Sequence, residues 1–231
     1  MQCHNLDTLG VICRRVEDLP PLRAALLDAP LRELSAGIAS PRIGLCRTPA
    51  WESADPATQA LIERSAARLE AAGARVSEVS FAPPFADILQ HHRRIFAFEA
   101  ARNYAYEYEQ HHDQVSQVLR DTLLTPGREM PLADYVEAIE TAEAFRRHLD
   151  DIFRDVDVLL TPSAAGEAPL GLGSTGDPSF NSIWTLAWTP CVTLPAGHGP
   201  SGLPLGIQLV GQRFRDEALF DAAAWVEARL S

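Results

Sequence analysis

The chain has 231 residues, of which 46% are hydrophobic and 22% are charged, with 20 basic residues against 31 acidic ones. This apolar content is that of a globular protein, and the net charge of −11 makes nucleic acid and anionic membranes poor partners. All 20 basic residues are arginines, so every mechanism that needs a lysine side chain is excluded.

The first elements are a helix and a βαβ unit. A helix is predicted from Asp18 to Pro30, with two prolines in its first turn. A short strand at Arg42–Cys46, a helix that begins at Asp55-Pro56 and ends at Gly73, and an alternating strand at Arg75–Phe81 then predict two parallel strands. The residues expected on the buried faces of the two helices are Leu22, Leu26 and Leu27, and Leu61, Ile62, Ala66 and Leu69.

A long helical region follows over residues 85–155. Pro126-Gly127 is predicted to interrupt it, since both residues disfavour a helix interior, and a new helix is predicted after Pro131. The apolar face expected for this new helix consists of Tyr135, Ile139, Phe145, Leu149 and Ile152.

The last third alternates strands and helices. Asp157–Leu160 is a predicted buried strand, and residues 163–178 form a long loop before a short helix at 179–187. Strands at Cys191–Leu194 and Gly206–Val210 are expected to be joined by a loop over 195–204, and a closing helix runs from Asp216 to Leu230. With no repeat or linker, residues 1–231 are predicted to form a single α/β domain whose mixed sheet is flanked by helices.

The cysteines indicate the compartment. They have neither the close pairing of a metal site nor the density of a disulfide-stabilised secreted domain. The first residues do not resemble a signal peptide, and no apolar run approaches the about 20 residues that cross a bilayer. We therefore expect a soluble, cytoplasmic protein with four reduced thiols, which are Cys3, Cys13, Cys46 and Cys191.

Two patterns suggest a cofactor or a metal. Residues 171–176 satisfy G-x-G-x-x-G, but this turn does not directly follow a strand as a dinucleotide site requires, so a surface loop is favoured. The pairs His91-His92 and His111-His112 would lie about 30 Å apart on one helix, and neither pair has i, i+4 spacing. We favour a solvated helix surface over a metal site and expect neither cofactor nor metal.

Two other groups could form a site. Cys191 with His198 would be a nucleophile and a base, but Cys191 lies in an apolar strand, where a buried thiol without a catalytic role is favoured. Phe180, Trp184 and Trp188 beside the long loop could equally line a pocket or form a stripe of core residues.

The C-terminal part resembles the amidase signature family. The most specific piece is the hairpin Gly202–Gly211, which has the form Gly-Leu-Pro-x-Gly-x-Gln-x-x-Gly. The other segments that carry the resemblance are Leu6–Gly10, Cys13–Asp18, Arg42–Gly44, Gly73–Val76, Asp157–Pro162, Thr189–Gly197 and Asp216–Phe220. They cover nearly the whole chain but only the second half of a family member.

The resemblance implies an amidase without its chemistry. Family members hydrolyse amide C–N bonds with a serine nucleophile, a second serine and a lysine base, all upstream of the segment that Leu6 matches. The chain is therefore expected to be the C-terminal portion of an amidase, with no catalytic residue and no activity alone; the alternative is a non-catalytic binding or interaction module. The part of a pocket wall expected from this half is Phe180, Trp184 and Trp188.

The missing half also implies a partner. A sheet built to continue into an N-terminal half would expose an unpaired strand edge and an apolar face. We expect a homo-oligomer, or a complex with a complementing N-terminal half, to cover that surface. A small amide would be the substrate of a complete enzyme only.

Overall fold

The computed structural model describes residues 2–35 and 39–230, which include one five-stranded sheet. The order of the strands across the sheet is β2-β1-β3-β5-β4, so β2 and β4 form its two edges. The strands are β1 (Arg42–Cys46), β2 (Arg75–Val79), β3 (Val158–Pro162), β4 (Cys191–His198) and β5 (Pro204–Val210).

Helices fill most of the connections between the strands, and the longest lie between β1 and β3. Gln117–Leu119 continues through a π-helical turn at Arg120–Leu124 into the next helix. The helices are α1 (Leu19–Leu27), α2 (Pro56–Ala71), α3 (Ile88–Asn103), α4 (Ala105–Gln110), α5 (Gln117–Leu119), α6 (Thr125–Glu129), α7 (Leu132–Ile152), α8 (Ser179–Ala187) and α9 (Asp216–Leu230).

The sheet is mixed, as the sequence predicts. β1 pairs in parallel with β2 on one side and with β3 on the other, which confirms the βαβ unit. β5 then runs antiparallel to β3, and β4 antiparallel to β5. Parallel pairs need a crossover connection while an antiparallel pair needs only a short turn, so the antiparallel pairing of β4 with β5 explains why these two strands follow each other closely.

Helices cover both faces of the sheet. On one face α2 and α9 pack against residues such as Ile43 and Leu209. On the other, α3, α7 and α8 pack against Leu159 and Val210. The predicted inward face of α2 is confirmed, because Leu61, Ile62, Ala66 and Leu69 are all buried.

The predicted buried stripe of α1 is wrong. Leu19 and Pro20 are the buried residues of this helix, whereas Leu22, Leu26 and Leu27 are 36%, 55% and 59% exposed. The leucine spacing gives an apolar face, but no described element covers most of it. Leu26 and Leu27 instead border a groove beside β4.

The predicted break at Pro126-Gly127 is also wrong, since both residues lie inside α6. Pro126 lies directly after the π-helical turn at Arg120–Leu124, and such a wider turn is a common place for a proline within a helical segment. The helical region breaks instead near Tyr104 and at His111. The break at Met130 and the new helix predicted after Pro131 are confirmed, since α7 begins at Leu132.

The hairpin between β4 and β5 is longer than predicted. Both strands extend into the stretch expected to be a loop, so the turn contains only residues 199–203. A bulge between Pro195 and Gly197 allows β4 to continue past its proline.

Candidate functional site

The end of β3 and helix α8 form the region where the sequence places a pocket wall. Phe180 and Trp184 are fully buried by the packing of α8 on the rest of the chain, and only Trp188, at 42% exposure, reaches the surface. Phe180 contacts Ala50 and Ala54, while Trp184 lies edge-on to Phe81. The described residues therefore do not bring the three aromatic side chains into one pocket, and their role in a wall stays a prediction.

Trp188 is held in a fixed position. It ends α8 in the left-handed region, with φ of 58°, and its indole N–H donates to the carbonyl of Asn5 over 2.8 Å. The guanidinium of Arg146 lies 3.4 Å from the centre of the ring and donates from Nε to the carbonyl of Leu186. A stacked, hydrogen-bonded indole is a rigid surface on which a flat ligand group could pack.

Polar groups gather where β3 ends beside α8. The hydroxyl of Thr161 is fully buried and has no hydrogen-bond partner among the described residues, and Gln208 lies opposite it on β5. Ser163 Oγ donates to the carbonyl of Gly206 over 3.3 Å, and Asn181 Nδ2 donates to the carbonyl of Ser163 over 3.1 Å. These hydrogen bonds join the loop and α8 to the sheet.

The long loop is also anchored to the β4–β5 turn. The carboxylate of Glu167 accepts the backbone N–H of Ser201 at 3.0 Å and that of Leu203 at 2.8 Å. Earlier in the loop, the carbonyl of Ala165 accepts the N–H of Asp55 at 2.7 Å. The loop is therefore held at its beginning by two contacts that are distant in sequence.

The hydroxyl of Ser179, at the start of α8, is paired with a carboxylate. The carboxylate of Asp177 accepts the hydroxyl and the backbone N–H of Ser179, the latter over 2.8 Å. These two hydrogen bonds hold the pKa of Asp177 below its usual range. A carboxylate with a lowered pKa is a poorer proton acceptor than an ordinary one, so this pair does not favour activation of the Ser179 hydroxyl. The two hydrogen bonds hold Ser179 as the first residue of α8.

The G-x-G-x-x-G segment forms an exposed part of the same loop. Gly171 and Gly176 have positive φ, and a Cβ placed on Gly173 would meet nothing within 4 Å. Neighbouring Leu170 and Leu172 are fully exposed. This open geometry is that of the surface loop favoured above and offers no cradle for a phosphate.

The two histidine pairs lie in different parts of the helical region. His91 and His92 belong to α3, whereas His111 and His112 follow the end of α4. Over residues 2–35 and 39–230, no three His, Cys, Asp or Glu side chains are close enough to bind a metal ion. Burial, followed by the charge of Arg93, lowers the pKa of His92 to about 4. His92 is therefore neutral in the folded protein at neutral pH.

This lowered pKa predicts an acid-sensitive contribution to stability. The unfolded chain binds a proton at His92 near its usual pKa of 6.5, whereas the folded chain does so only near 4. The unfolded chain therefore binds more protons than the folded chain between these two pKa values. The free energy of unfolding is unaffected by His92 above about pH 6.5 and decreases as the pH falls towards 4. We expect His92→Gln to remove on the order of 3 kcal/mol of the loss in unfolding free energy over this range. Urea unfolding at several pH values tests this, with exposed His4→Gln as control; equal pH profiles for the two variants would refute it.

Cys191 and His198 are not a nucleophile and a base. They stand near opposite ends of β4, and both are exposed. The expectation that Cys191 is buried is wrong: Val192 and Leu194 point into the core, so the alternation of the strand places Cys191 on the uncovered face. The Cys191 thiol donates to the carbonyl of Thr189 over 3.7 Å.

Sequence reasoning missed a buried carboxylate. Glu99 of α3 is 7% exposed and accepts hydrogen bonds from the thiol of Cys3 at 3.0 Å, the N–H of Asn5 at 3.1 Å and the hydroxyl of Tyr135 at 2.9 Å. The side-chain amide of Asn5 donates to it as well. Burial alone would raise the pKa of Glu99, but these donors outweigh it and lower the pKa. Burial and the neighbouring Glu99 raise the pKa of Cys3 to about 12, so Cys3 stays a thiol.

Comparison with known proteins finds a family whose model matches most of this chain. The family model named Amidase matches residues 1–220. One of the subunits of glutamyl-tRNA(Gln) amidotransferase from Synechococcus sp. (strain CC9605) is 29% identical over 95% of this chain and 54% of its own length. The 2-amino-5-chloromuconic acid deaminase of Comamonas testosteroni is 29% identical over 97% of this chain and 51% of its own.

Solved structures give the same result. A crystal structure of an amidase matches with a TM-score of 0.84 and 27% identity over 94% of this chain and 52% of that protein. The chain thus spans about half the length of the curated relatives and of the structure that it matches. Among the described residues, no helix is both long and apolar enough to span a bilayer.

Proposed function

Since this chain belongs to the amidase family, we propose that it is the C-terminal portion of an enzyme that hydrolyses amide C–N bonds, and that it is inactive alone. The observation that carries the proposal is the family match over residues 1–220 in a chain about half as long as its relatives. The fold agrees with this assignment, because the structural match covers nearly all of this chain and only half of the amidase.

The expected inactivity rests on the chemistry of the residues. The base implied by the resemblance is a lysine, and the sequence contains none. The serines beside α8 hydrogen bond to a backbone carbonyl, at Ser163, and to a carboxylate of lowered pKa, at Ser179. A serine hydroxyl without a general base is a weak nucleophile, so we assign no catalytic residue to this chain.

We propose that this half contributes part of the substrate pocket in a complete enzyme. The best-placed group is Trp188, whose exposed indole is fixed by Arg146 and Asn5 at the C-terminal end of α8. Phe180 and Trp184 would support the wall from within. The four free cysteines fit a reducing compartment, and we propose the cytoplasm.

An ammonia-release assay tests the function. On acetamide, benzamide and L-glutamine we expect no turnover by the purified chain above a buffer blank. Turnover is expected only after co-expression with the part of the Comamonas testosteroni deaminase that lies outside its match to this chain. Activity of the chain alone would contradict the inactivity, and an inactive complex would favour a non-catalytic module.

A further inference from the structure

We infer that Trp188, Arg146 and Arg213 form a site for a flat carboxylate. The ring of this ligand packs on the free face of the indole, and its negative charge is paired by the two guanidinium groups. The inference rests on the proposed function, because it names the kind of substrate that the Trp188 part of the pocket wall takes. The binding is a property of this chain alone and is measured without turnover.

The indole and the two guanidinium groups come from three separate parts of the chain. Trp188 follows the last residue of α8 and lies over the guanidinium of Arg146, which belongs to α7. The carbonyl of Pro190 accepts the N–H of Gly211 over 2.9 Å and so extends the antiparallel register of β4 and β5 beyond the two strands. Two residues further along, the same register places Trp188 opposite Arg213. The fold therefore brings both arginines to one exposed ring.

Arg146 has a donor nitrogen without an acceptor. Its side chain is only 3% exposed, and Nε donates to the carbonyl of Leu186 over 3.0 Å while Nη1 donates to the carboxylate of Glu143 over 3.1 Å. Nη2 is buried and has no hydrogen-bond partner among the described residues. A buried donor of a charged group is costly to leave unpaired. A ligand oxygen at the edge of the indole would supply the acceptor that this nitrogen lacks.

The charges around this donor are one negative group short. Glu143 pairs with both Arg146 and Arg147, the latter over 3.7 Å. Asp150 pairs with Arg213 over 2.9 Å, so three guanidinium groups share two carboxylates. Burial lowers the pKa of Arg146, and the charge of Arg213 adds to this effect although Glu143 opposes it. A ligand with a single negative charge would balance this network.

The indole selects a flat ligand. Trp188 is 42% exposed, its N–H is bonded to Asn5, and one face lies on the guanidinium of Arg146. The cation on this face offsets the negative charge of the π-system, which favours the packing of a negatively charged ring on the other face. Carboxylates form charge-assisted hydrogen bonds with arginine. The site therefore recognises a ring and a charge in the same molecule.

An NMR titration of the chain with three probes at constant ionic strength tests the site. Benzoate has the ring and the charge, benzamide has the ring without the charge, and acetate has the charge without the ring. We expect benzoate to bind about tenfold more tightly than either of the other two, because each of them lacks one of the two contacts.

Variants separate the two contacts. Arg213→Gln should weaken the binding of benzoate about tenfold, to the level of benzamide, and leave the binding of benzamide unchanged. The matched control is Arg147→Gln, which removes an arginine that pairs with the same Glu143 but whose side chain is 64% exposed. Trp188→Ala should weaken the binding of both aromatic probes. Melting followed by circular dichroism checks that each variant is folded.

Each outcome decides the inference. Binding of benzoate that is lost in Arg213→Gln and kept in Arg147→Gln supports it. Equal affinity for benzoate and benzamide, no binding of either, or benzoate binding that Trp188→Ala leaves unchanged overturns it. Ammonia release by the co-expressed complex separates the two proposals. An active complex whose chain does not distinguish benzoate from benzamide removes only the carboxylate site, and an inactive complex whose chain binds benzoate as expected removes only the function.

Discussion

Replacing Gly127 with alanine is expected to lower the free energy of unfolding by about 3 kcal/mol or more. A Cβ at this position would lie 1.9 Å from the carbonyl oxygen of Ala97 and 2.8 Å from the Cβ of Ala101, so α6 would have to move away from α3. In an ordinary helix interior the same substitution stabilises by up to about 1 kcal/mol. The sign of the effect therefore distinguishes close helix packing from simple helix propensity.

Urea unfolding followed by circular dichroism measures this effect. The matched control is Gly173→Ala in the exposed loop, where an added Cβ meets nothing within 4 Å and φ is not positive. We expect the control to change the free energy of unfolding by less than about 0.5 kcal/mol. A Gly127→Ala variant as stable as the parent would show that the two helices do not approach this closely.

Replacing Glu99 with alanine should cost about 3 to 4 kcal/mol. The substitution removes the common acceptor of Cys3, Asn5 and Tyr135 and leaves these donors without a partner in a buried place. Since two of the donors belong to the N-terminal segment, cleavage of residues 2–7 by a protease should also become faster. Glu99→Gln keeps the shape but brings an amide N–H₂ towards donors, so an intermediate loss is expected.

The control for this site is Glu137→Ala. Glu137 pairs with Arg94 over 3.3 Å at the surface, and its side chain is 64% exposed. Exposed ion pairs contribute little, so we expect a change below about 1 kcal/mol. If Glu99→Ala were no more destabilising than this control, the N-terminal segment would not depend on the buried carboxylate.

Local sequence patterns predict most of the fold. The inward face of α2 follows from the 3.6-residue period of Leu61, Ile62 and Leu69, and the parallel pair of β1 and β2 follows from the order strand, helix, strand. The family resemblance agrees with the match over residues 1–220. These features depend on residues close together in sequence or on motifs that the chain itself contains.

The predictions from the sequence are wrong where contacts between residues distant in the chain determine the structure. Glycine after proline usually indicates a break in a helix. At Gly127, however, the backbone of α6 lies so close to Ala97 of α3 that only a residue without a Cβ fits. Leu26 and Leu27 have the spacing of a buried stripe, yet whether they are covered depends on what lies beside β4. Hydrophobic periodicity predicts which side of a helix is apolar, but it does not predict which element packs against that side.

The candidate site could be predicted only in part. The sequence locates helix α8, but the separate surroundings of Phe180, Trp184 and Trp188 depend on three different neighbours. The acceptors Glu99 and Glu167 bond to groups more than thirty positions away in the chain, at Asn5 and Leu203. The spacing of nearby residues in the sequence does not predict such long-range hydrogen bonds.

The position of Trp188 gives the molecule an internal optical reporter. Its indole bonds to Asn5 and stacks on Arg146, whereas Trp184 is enclosed in the core. Detachment of the first residues would expose the ring of Trp188 to water while Trp184 and Trp225, which lie in the core, kept their surroundings. A red shift in fluorescence emission that is lost in a Trp188→Phe variant would thus report release of the N-terminus from the folded protein.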